Sequence, residues 1–178
     1  MSSSLDIPAL ETERLILRGH TRADFGAYAA MWADPAFVQF SGGTPLSEED
    51  AWARFLRPLG HWHLLGFGFW AIEEKTSGRF IGDVGFAEHQ REIEPSLKGI
   101  PEIGWALAVH AQGKGYATEA TRAAIQWGDM RFGRVRTACT IHPANLASIR
   151  IAEKCGYREA ARTVHKGNPA IVFFREPQ

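Results

Sequence analysis

Apolar positions along the chain change their period several times, and each change predicts an element. Leu15, Ile16 and Leu17, bounded by charge, predict a short strand over 13–18. Thr21 with Asp24 three residues on marks a helix start, and Phe25, Tyr28, Ala29 and Trp32 then recur at helical spacing up to the stop at Asp34-Pro35. After the loop Ser41-Gly42-Gly43-Thr44-Pro45, Ser47 caps a second helix whose first turn carries Glu48, Glu49 and Asp50, as the helix dipole favours. Trp52, Phe55, Leu59 and Trp62 form its stripe, and Pro58 breaks or kinks it.

The middle of the chain changes to strand patterning. Strands over 67–74 and 79–87 flank the turn Lys75-Thr76-Ser77-Gly78, which predicts an antiparallel hairpin. A Pro- and Gly-containing loop over 91–101 leads to a strand over 102–109, which runs into Gln112-Gly113-Lys114-Gly115-Tyr116-Ala117. Then come a helix over about 118–131, a strand over 135–141, a helix over 145–155 and a last strand over 163–174. The order β α α β β β α β α β predicts an α/β (α+β) domain: early strands antiparallel, later ones joined by helical crossovers.

The length, 178 residues, fits one domain over 1–178, with residues 1–9 expected to be flexible. A hydrophobic fraction of 45% supports a packed core, to which six Trp and eleven Phe would add large buried areas. Twenty basic residues balance twenty acidic ones, which speaks against a nucleic-acid partner, since phosphate neutralisation needs a basic surplus. No apolar run approaches the ~20 residues of a membrane span, and Met1 to Ser4 has no secretory signature. A cytoplasmic protein without a membrane partner is expected. Cys139 and Cys155 make neither a disulfide framework nor a metal site, so no metal is expected.

Chemistry enters at residues 112–117. Glycines there let the backbone approach a ligand closely, and the first N–H groups of the following helix lack internal partners. Such a turn suits phosphate, though a Gly-x-Gly alone is equally a tight strand-to-helix connection. A P-loop is excluded because Gly-x-x-x-x-Gly-Lys-Ser/Thr is missing. A dinucleotide fingerprint fails because Thr118 stands where its third glycine would be. One strand and one helix later, Asn145 and Ser148 share a helix face, and Gly156-Tyr157 ends that helix. Asn145 by itself reads as a helix cap.

Together these segments resemble the GNAT superfamily of N-acetyltransferases. Gln112-Gly113-Lys114-Gly115-Tyr116-Ala117 is similar to its Gln/Arg-x-x-Gly-x-Gly/Ala acyl-CoA signature, and Asn145 to Tyr157 resembles its second motif. Thr12-Glu13-Arg14-Leu15-Ile16-Leu17-Arg18 and the run from Gly113 to Ala120 are similar to the RimJ/RimL branch, which acetylates protein N-termini. The resemblance spans roughly residues 10–175. It implies a mixed, mostly antiparallel central sheet flanked by helices. It also implies acetyl-CoA as co-substrate, with its pyrophosphate on the amides of Gln112, Gly113, Lys114, Gly115, Tyr116, Ala117 and Thr118. Pantetheine would pair along Leu107, Ala108 and Val109 and be held by Asn145, with Ser148 beside it.

The acceptor implied is a primary amine, either a peptide N-terminus or a small molecule, and the protein a monomer or homodimer. An amine must lose a proton before it attacks a thioester, and general-base help contributes about 10²–10⁴-fold. Glu102, at the head of the strand leading to the turn, is the candidate base; Glu73, Glu88, His61 and His63 are rivals. Many members protonate the leaving thiolate with a Tyr where this chain has Ala152; Ser148 resembles the Ser proposed for that role in the RimL-like branch. Amides near Leu107 would stabilise the oxyanion. Two other readings remain. One is a non-catalytic acyl-CoA-binding regulatory or interaction module. The other is an acyltransferase with a longer or acidic acyl donor, or with a small-molecule amine such as an antibiotic or polyamine as acceptor; substrate identity would be set mainly by residues 36–66 and 91–101.

Overall fold

The computed structural model describes residues 6–177. Among the described residues, eight strands form one sheet in the order β1-β2-β3-β4-β5-β6-β8-β7, with β1 at Leu10–Glu11, β2 at Leu15–Arg18, β3 at Phe69–Glu74 and β4 at Arg79–Ala87. β5 is Glu102–Leu107, β6 Thr137–Ile141, β7 Arg158–His165 and β8 Asn168–Arg175. Every neighbouring pair is antiparallel except β5 and β6, in the middle of the sheet.

Six α-helices among the described residues flank the sheet: α1 (Phe25–Ala33), α2 (Pro35–Val38), α3 (Glu48–Phe55), α4 (Arg57–Leu65), α5 (Tyr116–Phe132) and α6 (Leu146–Lys154). Local chemistry sets their ends. Thr21 and Asp24 form a reciprocal capping box before α1, and Ser47 Oγ accepts from Asp50 N at 3.1 Å before α3. Pro58 has no amide to donate, and the helix predicted after Ser47 divides there into α3 and α4.

One core layer joins β2–β5 to α4, α5 and α6, with Trp62, Trp70 and Trp127 packed edge to face. Gly128 lets α5 approach this layer: a Cβ there would stand 2.8 Å from the Phe86 ring. A second layer on the opposite face packs α1–α3 (Tyr28, Met31, Trp32, Phe55) on Ala71 and Phe80. The loop after β4 covers β6 and β8 with Ile93 and Leu97.

Three expectations are corrected. The last strand, read over 163–174, is a hairpin of β7 and β8 joined by Lys166-Gly167, both at positive φ, a geometry that suits a two-residue hairpin turn. β5 ends at Leu107, so Ala108 and Val109 are not strand residues. Ala108 N donates to Ile81 O at 2.9 Å, and Ala111 N to Ala108 O at 2.8 Å, closing a 3-10 turn over Val109–Ala111. Residues 7 and 8, expected to be flexible, are anchored: Ile7 packs on the core, and Pro8 O accepts from Trp70 Nε1 at 2.7 Å. For residues 1–5 that expectation lies outside the described residues.

Candidate active site

β5 and β6 are the parallel pair, and each is followed by a helix, so α5 and α6 begin at the same end of the sheet. Ligands of open α/β sheets gather outside the carboxyl ends of such strands. The two strands meet at a single register, Glu102 opposite Ala138, braced by Ala138 N donating to Pro101 O at 3.0 Å. Beyond it they diverge, leaving the β6-facing edge of 103–107 without a ladder partner. A strand edge with free N–H and C=O groups accepts an extended ligand.

At the open end stands the turn from Gln112 to Gly115. Gly113 and Gly115 adopt φ of +76° and +82°, conformations that side chains with a Cβ resist. The first helical bond of α5 is donated by Glu119 N to Gly115 O, and among the described residues no amide from Gly113 to Thr118 donates to a backbone carbonyl. Six consecutive donors, at the positive end of a 17-residue helix, are left for an anion. Gln112 instead folds back, its Nε2 donating to Leu107 O at 2.9 Å, which fixes the exit of β5.

The turn is strapped from the segment just before β2, a device that sequence reasoning missed. Arg14 Nη1 donates to Lys114 O at 2.9 Å, and its Nε reaches Glu119 Oε2 at 2.7 Å. Glu119 Oε1 takes the Arg14 amide at 2.9 Å and Thr12 Oγ1 at 2.6 Å. Burial pushes the Glu119 carboxyl upward, but these bonds outweigh it and hold it below the usual carboxylate range. Tyr116 lies under the Arg14 guanidinium at 4.5 Å and donates to Glu74 at 2.7 Å. Arg14, Glu119 and Tyr116 all stand in the segments that carried the resemblance, but their partners belong to tertiary structure.

Across the opening, Asn145 Oδ1 accepts from Ser148 N at 3.1 Å, the cap bond that its sequence position predicted. Its Nδ2 has no partner among the described residues. Ser148 Oγ accepts from Trp105 Nε1 at 3.3 Å, a contact between α6 and β5 that no motif announced. Ala152 is fully buried in the core beneath Ser148.

Glu102, at the apex of the divergence, is 3% exposed. Desolvation raises its pKa, while Arg91, whose Nε lies 2.8 Å from Glu102 Oε2, pulls it down less strongly. Oε1 makes no hydrogen bond among the described residues. Glu73, a rival base, is tied to Arg18 at 2.7 Å, and His61 rests against carbonyls of Arg57 and Glu88. The structure therefore gathers residues 107 and 112–118 with Asn145 and Ser148 around the open end, and sets Glu102 at the closed apex of the same opening. No three metal-ligating side chains come together among the described residues, and no helix among them is long and apolar enough to cross a membrane.

A central parallel pair that diverges, a glycine turn with free amides and a capped second helix make a domain built to hold an extended, anion-bearing ligand. The family model for the acetyltransferase (GNAT) domain matches residues 14–158, and the chain belongs to that family. The uncharacterized protein YkkB of Bacillus subtilis is 37% identical over 111 residues, which are 61% of this chain and 60% of YkkB. The acetyltransferase from Agrobacterium tumefaciens superposes with a TM-score of 0.82 at 30% identity, covering 96% of this chain and 95% of that one. RimL, a ribosomal L7/L12 α-N-protein acetyltransferase in complex with coenzyme A, shares the fold at 16% identity and a TM-score of 0.72, covering 96% and 98%.

Proposed function

We propose that this protein moves an acetyl group from acetyl-CoA to a primary amine, on a peptide N-terminus or a small molecule, by direct attack in a ternary complex. The run of uncommitted amides from Gly113 to Thr118, beside a strand edge without a partner, is the observation that carries the reading. The diphosphate would lie on those amides and pantetheine along β5, with Asn145 holding the arm. Glu102 would take the proton that the amine must lose, directly or through water, and burial, by raising its pKa, makes it a stronger base than a solvated carboxylate.

Acetyl-CoA should raise the melting temperature, since a ligand at about 100 times its Kd stabilises by about 2.7 kcal/mol. Gly115→Val should remove the shift, because a β-branched residue resists the positive φ that aims these amides. A folded Gly115→Val protein with an unchanged shift would refute the cofactor site. Release of CoA in a screen over peptides, polyamines and aminoglycosides identifies the acceptor. Tight binding with no release to any amine would favour the non-catalytic module instead.

A further inference from the structure

We propose that Trp105 is a positioning residue: by donating its indole N–H to Ser148 Oγ, it turns the hydroxyl hydrogen of Ser148 toward the sulfur that leaves during transfer. The inference rests on the acetyl transfer proposed above and deepens it.

The geometry has three parts. Ile103, Trp105 and Leu107 share the face of β5 that packs with α5 and α6, so Trp105 stands on one side of the opening and Ser148 on the other. Their contact, Nε1 to Oγ at 3.3 Å, bridges 43 residues of sequence. An indole nitrogen can only donate, whereas a hydroxyl offers one hydrogen and two lone pairs. Trp105 therefore occupies a lone pair of Ser148 and leaves its hydrogen free. The backbone of Ser148 is fixed separately, through its amide on Asn145 Oδ1. Cap and indole together hold everything about Ser148 except the proton, which has no acceptor among the described residues. A hydroxyl that accepts one hydrogen bond donates a stronger one.

In the transfer, the amine nitrogen bonds to the acyl carbon and the carbon–sulfur bond breaks, its electron pair remaining on sulfur. The amine's proton passes to Glu102 or to water. Ser148 keeps its own proton and donates a hydrogen bond to the thiolate, because a serine hydroxyl is a far weaker acid than a thiol of pKa about 8.5. Trp105 touches neither reacting atom. It acts through Ser148.

Coenzyme A itself is the probe, so no acceptor is needed. Thiolate absorbance, followed against pH in the CoA complex, reads the pKa of the bound thiol. Wild type should hold it below that of free CoA. Trp105→Phe, which keeps an aromatic ring and removes the donor, should raise it by about one unit, and so should Ser148→Ala. The double variant should do no more than either single one. A bound-thiol pKa unchanged by Trp105→Phe, with Ser148→Ala raising it, would overturn the inference and leave acetyl transfer standing. Failure of wild type to bind CoA would overturn both. Should Trp105→Phe not fold, the indole N–H resonance of Trp105 decides: it must move upfield in Ser148→Ala, and a signal that stays in place refutes the contact.

Discussion

The two edges of β5 are built to opposite specifications. Toward β4 it pairs at six positions, from Gly82 opposite Leu107 to Ala87 opposite Glu102; toward β6 it pairs at one. The closed edge is packed without slack. A Cβ on Gly82 of β4 would stand 2.9 Å from Leu107 Cα, directly across the ladder, and closer still to Ala106 O. The open edge leaves peptide groups uncommitted, which a sheet tolerates only where water or a ligand completes them. Stability is thus concentrated on one side of the strand and chemistry on the other. Each side also has its carboxylate. Glu102, at the apex, is held by Arg91, whereas Asp83, behind the closed edge on β4, is 5% exposed and makes no hydrogen bond among the described residues.

That contrast breaks most visibly at Glu102. Glu102→Gln keeps the shape and removes the base, so turnover at neutral pH should fall by about 10²–10⁴. The deficit should shrink at high pH, where the amine deprotonates unaided. Turnover equal to wild type from about pH 6 to 9 would assign Glu102 to anchoring the loop through Arg91 and nothing more.

Asp83 sharpens the other side. Burial pushes its carboxyl up to about 7, with the charge of Arg54 only partly opposing. A raised folded-state value means that the native protein holds a proton which the unfolded chain has already released. The stabilisation is complete below about pH 4 and is lost as pH rises through 7. Wild type should therefore weaken relative to Asp83→Asn between pH 4 and 8, by roughly 2–4 kcal/mol in urea unfolding. Parallel stability profiles for the two proteins would show that Asp83 is ionised and solvated in the fold.

Sequence made the closed architecture legible because periodicity records which face is buried. Leu15 and Leu17, and Tyr28 and Trp32 of α1, lie in the core as their pattern predicts, whereas the single stripe read after Ser47 is divided: Trp52 is exposed, and Phe55 and Trp62 pack in opposite layers. Cap chemistry at Ser47 and Asn145 was equally local, and so readable. The β7–β8 hairpin was missed because Lys166-Gly167 interrupts a run that otherwise reads as one strand; its turn is set by positive φ at both residues. The Arg14–Glu119 strap and the Trp105–Ser148 bridge join residues 105 and 43 positions apart. Such contacts leave no periodic trace. The single-register meeting of β5 and β6 is equally silent, since a strand's pattern records its faces and not its edges.

The smallest expected effect tests the open edge most finely, because Asn145 already has a structural task. Its Oδ1 caps α6 through Ser148 N at 3.1 Å, so Asn145→Ala should cost about 0.5–2 kcal/mol whether or not a ligand is held. Asn145→Asp separates the two roles. An Asp keeps the accepting oxygen and places negative charge at the positive end of the helix, so stability should be retained. What it lacks is the Nδ2 donor, the half of the amide that has no partner in the fold. If that donor holds a pantetheine carbonyl, the KM for acetyl-CoA should rise by roughly tenfold in Asn145→Asp, as the loss of one hydrogen bond of about 1.4 kcal/mol requires. The melting temperature without ligand should stay near that of wild type. Wild-type KM in a folded Asn145→Asp protein would leave Asn145 as a cap alone, with the pantetheine arm held by the β5 edge.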